Sequence, residues 1–127
     1  MSVRVLVVDD EIDVEILFRQ QFRRELREGK FVLDFALSAD EALGKIRAAE
    51  GETIILLVSD INMPGMSGLD LLPRIKAEHP DIPVFMVTAY GDENTRKVAL
   101  ERGADGFLTK PIDFSALRSE VQARLAA

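Results

Sequence analysis

Five short apolar runs, each followed by a stretch with helical spacing, constrain this chain more than any other feature. The runs are Val3 to Val8, Phe31 to Ala36, Ile54 to Val58, Val84 to Val87 and Gly106 to Leu108. Runs of this length bounded by polar turns read as strands, and strands separated by helices must cross over between layers. The strands therefore lie parallel in one sheet, covered by helices on both faces. The first, third and fourth runs are nearly unbroken, as strands buried on both faces must be. The second carries Asp34, and the fifth is short and flanked by Asp105 and Thr109, which places these two at the sheet edges.

The intervening helices announce their own ends. Ser38 with Glu41 and Ser67 with Asp70 have the spacing of a capping box, and Asp113 is a suitable N-cap for the last helix. Apolar stripes follow as Val14, Leu17, Phe18 and Phe22; Ala42, Leu43 and Ile46; Leu71, Leu72 and Ile75; and Phe114, Leu117, Val121 and Leu125. Each helix thus has one face to bury. Pro73 stands against this pattern, because it removes a backbone donor well inside the third helix and is expected to kink or shift it.

At 127 residues, with 47% apolar content and no internal repeat or linker, the chain is expected to be a single domain over residues 1–127. The absence of cysteine excludes thiolate metal sites, thiol catalysis and disulfides, in keeping with an expected cytoplasmic location. Arg4 interrupts the first apolar run, and no run approaches the roughly 18 residues of a membrane span, so no membrane association is expected. The formal charge of −6, with no basic stretch longer than the Arg23-Arg24 pair, argues against direct nucleic acid binding.

In a doubly wound sheet the ligand site lies at the carboxyl ends of the strands. The polar residues there are Asp9 and Asp10 after the first strand, Asp60 after the third, Thr88 ending the fourth and Lys110 ending the fifth. Taken singly, each has an ordinary reading: Asp9 or Asp10 as a helix N-cap, Asp60 as a turn residue, Thr88 as a strand end, Lys110 as a solvated lysine. Taken together, they bring three carboxylates, a hydroxyl and an ammonium to one rim. Neighbouring carboxylates raise one another's pKa unless a cation compensates them. A set of oxygen donors without His or Cys suits Mg²⁺. Three carboxylates, one Mg²⁺ and one ammonium sum to zero formal charge, so a phosphoryl group becomes tolerable there.

Four segments carry a resemblance: Val7-Val8-Asp9-Asp10-Glu11, Ser59-Asp60-Ile61-Asn62-Met63-Pro64-Gly65-Met66-Ser67-Gly68, Val87-Thr88-Ala89-Tyr90, and Gly103-Ala104-Asp105-Gly106-Phe107-Leu108-Thr109-Lys110-Pro111. In this order and spacing, the chain resembles the receiver domain of two-component response regulators along essentially its whole length. The resemblance implies a flavodoxin-like (βα)5 fold with strand order 2-1-3-4-5. It implies that Asp60 is the phosphoacceptor, with Thr88 and Lys110 holding the phosphoryl oxygens. Mg²⁺ would be bound by Asp10, Asp60 and the backbone carbonyl of Asn62, with Asp9 acting largely through water. Thr88 and Phe107 would form the switch, and the Lys110-Pro111 bond would be cis, a form that costs an X-Pro bond only about 0.5 to 1 kcal/mol. Asn62 and Tyr90 would occupy the two positions that tune access of water to the acyl phosphate.

The implied partner is a histidine kinase or a histidine phosphotransfer protein, docking near the first helix, where Ile12 and Ile16 should face outward. Output would run through the fourth helix, fifth strand and fifth helix, by a homodimer. The implied role is a signalling switch and not a conventional enzyme, although the domain would catalyse its own phosphorylation and slow dephosphorylation. A haloacid-dehalogenase-type phosphatase is disfavoured because Asn62 stands where an acid would be needed two residues after the nucleophile. A flavin carrier is disfavoured because Asp9, Asp10 and Glu11 would repel its phosphate.

Overall fold

The structure is a computed structural model, and it describes residues 3–49, 51–89 and 91–126. Its elements run β1 (Val3–Val8), α1 (Ile12–Gln21), α2 (Arg23–Arg27), β2 (Val32–Ala36), α3 (Ala39–Ala48), β3 (Thr53–Asp60), α4 (Gly68–Glu78), β4 (Val84–Thr88), α5 (Glu93–Glu101), β5 (Gly106–Thr109) and α6 (Phe114–Ala126). The five strands form one parallel sheet in the order β2-β1-β3-β4-β5. The strands carrying Asp34 and the short Gly106 segment are its edges, as expected.

Alternation along each strand sends neighbouring residues to opposite faces. From β1, Leu6 and Val8 join Leu57, Leu71, Leu72 and Ile75 beneath α3, α4 and α5. Val5 and Val7 join Phe18, Leu56, Leu117 and Val121 beneath α1 and α6. Phe22 sits between Phe31 and Phe114 at edge-to-face geometry, with ring centroids 5.7 and 6.2 Å away.

Two local features differ from expectation, and a third takes an unexpected form. The first helical stretch is divided at Phe22, whose backbone leaves the α region (φ −106°, ψ 18°) while its N–H still donates to Phe18 O. The later helices are therefore numbered one higher than the five-unit reading would have them. Leu17, placed by periodicity in the core stripe, is 41% exposed. The neighbouring Phe18 takes the position over the sheet, and Leu17 lines a groove with Val14, Pro111, Ile112 and Phe114 instead.

Finally, α4 passes through Pro73 without interruption. An α-helical Leu69 carbonyl would accept from the amide of residue 73, which proline lacks. Here the Arg102 guanidinium donates to Leu69 O at 2.8 Å, and a side chain from α5's C-terminus supplies what the helix cannot.

The expected caps are present. Ser38 accepts from the Glu41 N–H, Ser67 from the Asp70 N–H, and Asp113 from the amides of Ser115 and Ala116. Asp92, not singled out from sequence, caps α5 through the Thr95 N–H. Among the described residues, no helix is long and apolar enough to cross a membrane.

Candidate functional site

Four strands end at one rim, and each delivers a polar group. Asp9 follows β1, its backbone N–H bonded to Ala36 O of β2 at 3.0 Å, so the path of the chain after the strand is fixed. Asp60 is the last residue of β3, two residues further than the apolar run suggests, and pairs in register with Val87. Thr88 ends β4 and pairs with Thr109, and the Lys110 N–H donates to Thr88 O at 2.9 Å. The backbone ladder itself therefore sets these side chains side by side.

Oxygen atoms of Asp9, Asp10 and Asp60 all lie within 4.8 Å of one another. Lys110 Nζ lies 3.3 Å from Asp9 Oδ2 and 3.6 Å from Asp60 Oδ1. The second Asp9 oxygen accepts the Glu11 N–H at 2.9 Å. Among the described residues, the buried polar and charged side chains are Asp9 (4% exposed), Ser59, Asp60 (5%) and Thr88 (1%), all at this end of the sheet. Asp10 is exposed, so the cluster opens to solvent on its side.

This geometry has an electrostatic cost. Burial, then the Asp9 carboxylate, push the pKa of Asp60 up to about 6; Lys110 and the Asn62 backbone N–H pull it down, and Asp10 adds a smaller upward push. Burial acts to lower the pKa of Lys110, but the Asp9 and Asp60 carboxylates outweigh it and hold the ammonium above its ordinary value. One ammonium thus does not neutralise the cluster. Oxygen-only donors, close approach and a surplus of negative charge are what a hard divalent cation requires, so the residues present fit Mg²⁺.

Asn62 is exposed, and its Nδ2 reaches Thr88 Oγ1 at 3.4 Å, a contact the sequence pattern could not disclose because it depends on the path of the loop after β3. Phe107 is half-buried beside its register partner Met86, packed against the core beneath α3, α4 and α5. The Lys110-Pro111 peptide bond is cis. Tyr90, read from sequence as a residue controlling water access, lies outside the described residues. Ile12 and Ile16 are exposed on α1 at 60% and 55%.

The response regulator receiver domain family model matches residues 5–122. Among curated proteins, the chain is 38% identical over 122 residues to the response regulator protein PilR of Pseudomonas aeruginosa, covering 96% of this chain and 26% of PilR. It is 33% identical over 122 residues to the two-component response regulator PhoP of the same organism, covering 96% of this chain and 51% of PhoP. The chain therefore spans about half, or less, of the length of these relatives. Among solved structures, a CheY-like receiver domain protein from Methanospirillum hungatei superposes with a TM-score of 0.83 at 28% identity, covering 99% of this chain and 95% of that one. The CheX-CheY-BeF3-Mg complex from Borrelia burgdorferi gives 0.82 at 31% identity, covering 95% and 87%.

Proposed function

The chain belongs to the response regulator receiver domain family, and from that premise we propose that it accepts a phosphoryl group on Asp60 and transmits the event through Thr88 and Phe107. The observation that carries this reading is the meeting of Asp9, Asp10, Asp60 and Lys110 at the carboxyl rim of the sheet, with Asp60 buried among like charges and within 3.6 Å of an ammonium.

The donor is a phosphohistidine on a histidine kinase or histidine phosphotransfer protein. An Asp60 oxygen attacks phosphorus in line, the P–N bond breaks, and its electron pair leaves with the imidazole. No general base is needed when the carboxylate is ionised. Lys110 balances charge on the phosphoryl oxygens, and the Thr88 hydroxyl binds one of them. Asp10, Asp60 and the backbone carbonyl of Asn62 would hold Mg²⁺, with Asp9 acting largely through water, and the ion would supply charge neutralisation and phosphate orientation. The beryllofluoride and magnesium of the Borrelia complex support this assignment. Asn62, in place of an acid two residues after Asp60, favours a phosphate that is held over one rapidly hydrolysed.

Drawing the Thr88 hydroxyl toward the new phosphoryl group would open space behind it for Phe107, a ring with no hydroxyl that must stay solvated. The donor would dock against α1, where Ile12 and Ile16 are exposed. We assign output to a homodimer through α5, β5 and α6; dimerisation as such is supported by the beryllofluoride-activated receiver dimer of NtrC4, 28% identical with a TM-score of 0.82. The compartment is the cytoplasm, where such donors present their phosphohistidine. Incubation with acetyl phosphate and Mg²⁺ should label the wild-type protein and leave Asp60→Asn unlabelled; equal labelling of both would remove Asp60 from the role.

A further inference from the structure

Pro73 and Arg102 are 29 positions apart in the chain, and they meet at the Leu69 carbonyl, one residue past the Gly68 that abuts the Asp60 backbone. We propose that Arg102 is a positioning residue for Asp60: it supplies the hydrogen bond that Pro73 removes and so holds the first turn of α4 against the Asp60 backbone. This rests on the reading of Asp60 as phosphoacceptor.

The first turn of α4 and the end of β3 are in direct contact. The Gly68 N–H donates to Ile61 O at 2.9 Å, and a Cβ at Gly68 would fall 2.2 Å from Asp60 O. Only glycine lets α4 begin this close, so any shift of its first turn is felt at Asp60 and in the loop carrying Asn62. Leu69, the next residue, has the carbonyl that in an unbroken helix would accept from residue 73. Proline has no N–H to give, and its ring crowds that carbonyl outward. The Arg102 Nη1 donates to it at 2.8 Å and lies 3.3 Å from Asp70 Oδ1 of the same turn. Arg102 is the C-cap of α5, so the bond also ties that end of α5 to α4. Its side chain is 41% exposed.

The test is a double-mutant cycle between Arg102→Ala and Pro73→Ala, because alanine at position 73 restores the helical N–H and makes the guanidinium redundant. Labelling by acetyl phosphate with Mg²⁺, well below the melting temperature, is expected to slow by on the order of tenfold in Arg102→Ala and to recover in the double variant. The melting temperature should fall by roughly 4 °C for Arg102→Ala in the wild-type background and by much less in the Pro73→Ala background. Asp70→Asn, which weakens the ion pair and leaves the carbonyl contact, should label at the wild-type rate. Labelling of Arg102→Ala at the wild-type rate, or equal losses in both backgrounds, overturns the proposal. Failure of the wild-type protein to label at Asp60 would instead overturn the phosphoacceptor reading, while the melting cycle still reports whether Arg102 replaces the missing amide.

Discussion

Ionised Asp60 costs the fold stability when no cation compensates it. Its pKa of about 6 lies above the ordinary 3.8, because burial and then Asp9 disfavour the charge. The folded protein binds this proton more tightly than the unfolded chain. The contribution of the group to stability is therefore intact below pH 3.8, is lost as pH rises to 6, and stays lost above it. At pH 7 the loss amounts to about 3 kcal/mol. Asp60→Asn in chelator should therefore exceed the wild type in denaturant stability by about that amount at pH 7 and by little near pH 4, and Mg²⁺ should narrow the gap. A gap independent of pH would contradict the assignment. The residues of this site were legible in the sequence because each stands at the end of an apolar run, where parallel topology gathers polar groups. The Asn62 contact to Thr88 was not, since a loop has no period from which its course can be read. Arg102 left a fainter trace: a proline six residues into a helix implies an orphaned carbonyl four residues earlier, and some donor must reach it.

Among the elements, strands were read more surely than helices. Their apolar runs and the charges of Asp34 and Asp105 fixed five strands and both edges, and register then followed from pairing. The division of the first helix at Phe22 had no glycine or proline to announce it; the ring's burial against Phe31 and Phe114 accompanies the departure of the backbone from helix. Leu17 fitted the helical stripe as well as Phe18, and only the larger ring's place over the sheet separates them. At Pro73 the helix span is continuous, and the irregularity lies in its hydrogen bonding: the Leu69 carbonyl accepts from Arg102, a donor that no reading confined to α4 could anticipate. The edge strand β5 carries its own steric condition. A Cβ at Gly106 would lie 2.7 Å from the Phe85 ring, which is buried beneath α6. Gly106→Ala should accordingly cost about 1–3 kcal/mol, measured by urea denaturation, and Phe85→Leu should recover part of the loss by making room. Full stability of the Gly106→Ala variant would show that the ring yields freely.

Across the whole molecule, charge is distributed unevenly. The protein carries −6, yet α5 presents Arg96, Lys97 and Arg102 with Glu93 and Glu101, and between them Leu100 is 42% exposed. With beryllofluoride and Mg²⁺ the protein is expected to sediment as a dimer, and Leu100→Asp as a monomer that acetyl phosphate still labels. A monomer under both conditions would assign α5, β5 and α6 to a different partner. Lys110 and Asp9 form their ion pair across 101 positions of sequence, from the residue after the last strand to the residue after the first. Asp9, Asp10 and Asp60 all precede Lys110 in the chain, so the ammonium that tempers the acidic cluster is supplied only by the segment after β5. The segment that follows the last strand therefore closes the site electrostatically: without Lys110, the Asp9 and Asp60 carboxylates would face each other with no ammonium between them.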